Sequence, residues 1–213
     1  MVLKKTIHYD VERWNFRKIV QDYLECNNLE DLHNIMKYDV FDRENDQNTI
    51  FHKNFYQKCD IDDRFDRLYK DFIKNFVSSY MKDENLVYQR RPSFRVHLNE
   101  NKAVGEFHKD SDYNHPLEET NFFVPLTNSN ETSTIWVESA PNKHDYRPIN
   151  LKYGQILVFS GGYLNHGNLI NQTGKTRVSF DYRVVKSTDY KKNNSKSVNS
   201  SKKFVIGEYY DKL

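Results

Sequence analysis

His108-Lys109-Asp110 sets an imidazole and a carboxylate two residues apart. In a β-strand, residues so spaced project from one face and can converge on one ion. The pattern is weak by itself, because His8-Tyr9-Asp10 repeats it outside the part of the chain that reads as β. Support comes from GQILVFSGGYLNHGN, residues 154–168, where an apolar run ends at Gly161-Gly162 and His166 opens the next run. In a jelly roll, strands distant in sequence lie side by side, so His166 can reach the first pair. Two imidazoles and one carboxylate on one face of an octahedron leave three positions open, the arrangement of non-haem Fe(II) sites. Zinc accepts the same ligands, so the triad alone does not select the metal.

Arg177 follows in the run TRVSFDYR, residues 176–183, on the same strand face as Ser179. A guanidinium fork beside a hydroxyl suits a carboxylate gripped through two bonds. An arginine aimed into a core is costly unless it meets an anion. A zinc hydrolase has no need of that feature, whereas an enzyme that binds a dicarboxylate does. Arg183 keeps the parity of Arg177 and fits a rim salt bridge. Asn121 and Phe123 are candidates to touch co-substrate or substrate. Arg95 and His97 alternate with Phe94, Val96 and Leu98, and face either the cavity or water. Trp136 and Glu138 share a face as a substrate wall or lid, against core packing for Trp136. Asp112, Glu118, Glu119 and Glu138 form either an acidic mouth suited to an amine or guanidine, or a solvated surface. His115 and His144 are weaker ligand candidates that fit surface or hydrogen-bonding roles better.

The elements that must position these residues fall in two parts. Residues 1–87 read as a mainly helical support region. Asp10 is a candidate cap for a helix carrying Trp14, Ile19, Val20, Tyr23 and Leu24. From Ile61, the residues Phe65, Leu68, Tyr69, Phe72, Phe76 and Tyr80 recur at helical spacing. The core, 88–185, reads as eight short strands: 93–98, 103–108, 120–126, 133–138, 147–151, 155–160, 164–170 and 176–185. Turn-type residues separate most of them. Short strands without intervening helices predict a mainly β fold with N-terminal helices, a double-stranded β-helix (jelly roll, cupin-like) of about eight core strands in a single domain. Residues 186–203 read as a flexible polar loop, and 204–213 as a segment that packs back.

The 213 residues suit one domain with a sizeable core, and aromatics at 15% compensate for an apolar content of 37%. A net charge of +2 with interleaved signs indicates no nucleic-acid or membrane surface. Few aromatics interleave the lysines of 187–203, which argues against a nucleic-acid tail. Cys26 and Cys59 fit neither a zinc spacing nor a disulfide framework. The segment MVLKKTIHYD has no apolar run behind its lysines, and no stretch has the length of a membrane helix. These features suggest a soluble, cytoplasmic protein and leave its oligomeric state open.

The span 88–185 resembles the Fe(II)- and 2-oxoglutarate-dependent oxygenase superfamily, with its His-x-Asp, distal His and Arg-x-Ser signature. More narrowly, FRVHLNENKAVGEFHKDSDYNH, ETNFFVPLT, STIWVESAP and GQILVFSGGYLNHGN with TGKTRVSFDYRV are similar to StrG-like proteins of streptomycin-type biosynthetic clusters. The resemblance implies Fe(II) on His108, Asp110 and His166, 2-oxoglutarate anchored by Arg177 and Ser179, and O2 as the oxidant. The step from Arg177 to Arg183 resembles one in the nucleic-acid demethylase branch, where the second arginine also serves the co-substrate. The implied activity is a dioxygenase hydroxylating a small polar metabolite or biosynthetic intermediate, with release of succinate and CO2. The alternatives are an oxygenase acting on a protein side chain or nucleic acid, and a non-catalytic cupin-like binding module.

Overall fold

The structure is a computed structural model, and it describes residues 2–35, 49–103, 106–198 and 200–213. The strands are β1 (Lys4–His8), β2 (Leu86–Gln89), β3 (Ser93–His97), β4 (Thr120–Pro125), β5 (Trp136–Val137), β6 (Arg147–Pro148), β7 (Gln155–Phe159), β8 (His166–Gly167), β9 (Arg177–Lys186) and β10 (Tyr210–Lys212). Seven of them form one antiparallel sheet in the order β1-β7-β4-β9-β2-β10, with β3 also paired to β9. A smaller sheet has the order β6-β5-β8. The protein is therefore mainly β, with antiparallel sheets and supporting helices.

Period-two alternation on β9 gives the large sheet two characters. Val178, Phe180, Tyr182 and Val184 join the main apolar core. Arg177, Ser179, Asp181 and Arg183 project from the other face. Register aligns that polar row with its neighbours: His97 opposes Arg177, Arg95 opposes Ser179, Phe123 opposes Asp181 and Asn121 opposes Arg183.

The apolar face is covered by α1 (Phe16–Tyr23), α2 (Leu32–Ile35), α3 (Ile50–Ile61) and α4 (Arg64–Phe72), the last running through a wide turn at Ile73–Val77 into α5 (Ser78–Met81). Large rings fill the junction. Phe16, Phe65 and Tyr69 pack edge-on to Phe180, and Phe55 stacks on Phe94 at 4.0 Å. Such contacts add about 0.5–1.5 kcal/mol each beyond area burial. A second cluster, with Phe123, Ile135, Val137, Leu157 and Phe159, lies between the two sheets.

Several elements differ from the sequence reading. Residues 4–8 form a strand rather than part of a helical region, because pairing with β7 overrides the weak local preference of KKTIH. Asp10 accepts the N–H groups of Glu12 and Arg13 in a preceding turn, and Asn15 caps α1 by accepting from Lys18 N. Of 103–108, Val104 and Gly105 lie outside the described residues, and His108 alone pairs, as an isolated bridge to His166. The runs 133–138, 147–151 and 164–170 shrink to two-residue strands. Polar side chains take backbone partners there: Thr134 Oγ1 donates to Ile149 O, and Asn168 Nδ2 to Thr134 O.

Beyond β9, Ser187 N donates to Asn85 O and Asn193 Nδ2 to Asn114 O. Phe204, Tyr209 and Tyr210 are buried with Val87, and β10 pairs with β2. Cys26 and Cys59 are both free thiols, half-buried and buried respectively. Among the described residues no helix is long and apolar enough to cross a membrane.

Candidate active site

The two histidines of the sequence motif sit directly opposite one another. His108 N donates to His166 O at 3.0 Å and His166 N to His108 O at 2.9 Å, so one closed backbone pair fixes both Cα positions. Each ring is then oriented by its own chain. Nδ1 of His108 bonds Glu106 O at 2.8 Å, and Nδ1 of His166 bonds Leu164 O at 2.9 Å. A carbonyl can only accept, so the proton lies on Nδ1 in both rings and Nε2 is left as a lone-pair donor to an ion. Gly167 makes room beside this pair, since a Cβ there would stand 2.9 Å from the Phe107 ring.

Asp110 completes the group. Its Oδ1 lies 3.6 Å from His108 Nε2 and 3.4 Å from His166 Nε2. Oδ2 turns away and accepts from Asn121 Nδ2 at 2.7 Å and Arg183 Nε at 3.0 Å. With Oδ2 occupied, Oδ1 is left to face the imidazoles. Burial opposes charge on Asp110, but Arg183 and the two imidazoles hold its carboxyl well below the usual range. Burial also opposes the His108 imidazolium, and the adjacent Asp110 outweighs it and raises the pKa. Three ligand atoms of these side chains lie within 4.8 Å of one another, a group able to hold a metal ion.

Support for Asn121 comes from a glycine. Gly161 N donates to Asn121 Oδ1, Gly161 O accepts from Asp110 N at 2.9 Å, and a Cβ on Gly161 would fall 2.5 Å from Asn121 Nδ2. The sequence marks Gly161 only as a turn residue; its steric role needs Asn121 in place. A second group, Asp110, His115 and Glu119, is also close enough to hold an ion. Its members are already engaged, with His115 Nδ1 at 2.8 Å from Glu119 Oε2 and Tyr210 donating to Glu119 Oε1.

Arg177 lies deeper in the same cleft, 1% exposed. Nη1 donates to Ser179 Oγ at 2.6 Å, Nε to Ser133 O at 3.1 Å, and the guanidinium sits 5.3 Å from the Phe123 ring centre. Nη2 approaches His97 Nδ1 at 3.4 Å. Among the described residues it has no ion-pair partner. Burial, with Arg95 adding repulsion, lowers its pKa to about 9. Burial and the Arg177 charge push His97 down to about 3.

The cleft joining these groups encloses about 500 Å³ of atom-free space, part of it open to solvent. Arg95, Asn121, Phe123, Arg177 and Arg183 line it with His108 and His166. Asp181, not singled out in the sequence, also lines it and pairs with both Arg95 and Arg183; strand parity with Arg177 and Arg183 was the available signal. Ile135, Phe159 and Asn168 complete the wall. His97 lies behind Arg177, with Nε2 at 2.9 Å from Asn101 O.

Trp136 and Glu138 line no part of this cleft. Trp136 Nε1 donates to Glu131 O, and Glu138 is fully buried, its carboxylate accepting from Asn165 N and His144 N. Burial opposes that carboxylate, and these backbone donors lower its pKa. Glu138 therefore anchors the residue before His166. His144 sits on an exposed loop against Tyr146, and His8 ends β1 on the surface, beside Gln155.

No family model matches this sequence. The chain is 34% identical over 207 residues to the streptomycin biosynthesis protein StrG of Streptomyces griseus, an alignment covering 96% of each chain. Its fold is similar to that of the non-heme monooxygenase ThoJ in the apo state, with a TM-score of 0.53 at 13% identity, over 96% of this chain and 82% of that one. It is likewise similar to AviO1 from Streptomyces viridochromogenes Tue57, with a TM-score of 0.52 at 11% identity, over 88% and 91%. The full-length match, across both the helical region and the site-bearing strands, places this chain in the StrG family.

Proposed function

We propose that this protein is an Fe(II)- and 2-oxoglutarate-dependent dioxygenase that hydroxylates a small polar molecule, built on a double-stranded β-helix of about eight core strands. One observation carries the reading. The cleft lined by His108 and His166, whose ligand atoms lie close to that of Asp110, also contains Arg177, a buried guanidinium with no carboxylate partner among the described residues. A buried cation of that kind is costly until an anion meets it.

His108 Nε2, Asp110 Oδ1 and His166 Nε2 would hold the metal, and Arg177 with Ser179 would grip the far carboxylate of 2-oxoglutarate. When bound, Fe(II) supplies the O2 chemistry that couples decarboxylation of 2-oxoglutarate, giving succinate and CO2, to insertion of one oxygen atom into a substrate C–H bond. The protein's own part is placement and shielding. The Phe123 face supports the Arg177 fork, while Ile135 and Phe159 keep the cleft wall apolar. Arg183 and Asn121 hold Asp110 so that one oxygen faces the imidazoles. Membership of the StrG family, whose namesake serves streptomycin biosynthesis, supports a polar biosynthetic intermediate as substrate.

The test is succinate formation by the purified chain with Fe(II), 2-oxoglutarate and a panel of polar amino acids, aminocyclitols and sugars. Turnover should need all three components and be abolished in His108→Ala. Full turnover by that variant, or an absence of 2-oxoglutarate binding to the Fe(II)-loaded protein, would reject the reading.

A further inference from the structure

A second cleft lies against the first and shares Arg95 and Arg183 as common walls. It encloses about 880 Å³ of atom-free space, part of it open to solvent. Four cations, Arg91, Arg95, Arg183 and Lys202, line it against one carboxylate, Glu208. The acids that pair its arginines are not among its lining residues: Asp60 meets Arg91 at 2.7 Å, Asp181 meets Arg95 at 3.1 Å, and Asp110 meets Arg183 at 3.0 Å. Arg91 engages Asp60 through Nη2, and a guanidinium carries further N–H donors in the same plane. Lys202 has no ion-pair partner among the described residues. Ser197 and Ser200 add hydroxyls from the polar stretch 186–203.

The acidic residues that could have attracted an amine lie elsewhere. Glu119 is held by His115 and Tyr210, Glu138 is buried under backbone donors, and Asp112 and Glu118 are exposed and line neither cleft. A wall rich in forked and point cations with hydroxyl donors is suited to a compact, multiply charged oxyanion.

We propose that this cleft seats a phosphate group, so that the protein acts on a phosphorylated small molecule whose reacting carbon extends past Arg183 toward the metal ligands. The reacting end rests on the oxygenase reading; the phosphate seat does not.

Calorimetric titration at fixed ionic strength tests the seat, using the full chain both metal-free and loaded anaerobically with Fe(II) and 2-oxoglutarate. The probes are glucose 6-phosphate, glucuronate and glucose, which hold the ring class constant while the charge falls. Glucose 6-phosphate should bind most tightly in both forms, and glucose least. The double variant Arg91→Gln, Lys202→Gln should weaken glucose 6-phosphate by about tenfold, while Fe(II) affinity measured on the same sample is unchanged. Glu208→Gln, which keeps an oxygen for Lys203 N, should tighten it. Equal affinity for the three probes, or a double variant that binds glucose 6-phosphate as the parent does, overturns the proposal. Binding by the metal-free form keeps the result independent of the iron chemistry.

Discussion

Arg183 Nε donates to Asp110 Oδ2 at 3.0 Å, which ties β9 to the carboxylate whose other oxygen faces the two imidazoles. Both partners are buried, so removing the arginine takes away the full positive charge that offsets the desolvation of this carboxylate and leaves it only Asn121 and the two imidazoles. Arg183→Gln is expected to lower stability by about 3–5 kcal/mol and divalent-metal affinity by about 10–100-fold. Urea unfolding and Mn(II) titration measure the two effects. Unchanged metal affinity would remove Arg183 from the support of Asp110.

Gly161→Ala should act on the same carboxylate from the other side. Its Cβ would lie 2.5 Å from the Asn121 amide, which is buried and already bonded to Asp110. The amide must move, at a cost of about 1–3 kcal/mol. Metal affinity should fall together with melting temperature, and Asn121→Ala in the same background should restore the room but not the affinity.

Arg177→Met should separate stability from co-substrate binding. Without an anion, the buried guanidinium is a cost to folding, as its lowered pKa of about 9 indicates. The methionine variant is expected to melt at a higher temperature than the parent when no 2-oxoglutarate is present. Its 2-oxoglutarate affinity should fall by about 30-fold or more, the effect of losing roughly 2 kcal/mol from a charged pair. The parent, in contrast, should gain about 2.7 kcal/mol at a 2-oxoglutarate concentration one hundred times Kd. A lower melting temperature in the metal- and co-substrate-free variant would contradict this account.

His52 should make the fold acid-sensitive. Burial, with the Arg95 charge, holds its pKa at about 3, and its Nε2 has no hydrogen-bond partner among the described residues. The unfolded chain takes up this proton near pH 6.5, so between about pH 6.5 and 3 the unfolded state binds more protons and stability falls as pH falls. The loss is about 1.4 kcal/mol per pH unit for each such histidine. His97, also held at about 3, adds an equal slope. Unfolding free energies measured from pH 7 to 5 should therefore show a slope from these two groups that grows toward two protons as pH 5 is approached, and His52→Leu should reduce it there by about one. An unchanged slope in that variant would assign the acid sensitivity to other groups.

Local pattern made much of the site legible. The two-residue step from His108 to Asp110 and the even steps along Arg177, Ser179 and Arg183 carry facing information in the chain itself, because a strand's side chains alternate whatever the strand pairs with. The apolar partners Phe180 and Tyr182 are the other half of that alternation. The helical spacing of Phe65, Tyr69 and Phe72 likewise marked a buried face without reference to its contacts. The strand at 4–8 was not legible, since its β state depends on an edge of β7 that lies far along the chain.

Contacts between distant segments were decided by tertiary structure alone. His108 and His166 meet through a backbone bridge with almost no flanking strand, so no run of β-formers announces it. The sequence leaves Arg183 open between the co-substrate and a rim salt bridge, and its position against Asp110 follows from the fold that brings residue 110 beside β9. Trp136 and Glu138 share a strand face that the sequence leaves open between a substrate wall or lid and, for Trp136, core packing; in the fold Glu138 is enclosed by the backbone N–H groups of Asn165 and His144. A sequence specifies which groups can donate, accept or carry charge, and the folded chain determines which of them are near enough to do so.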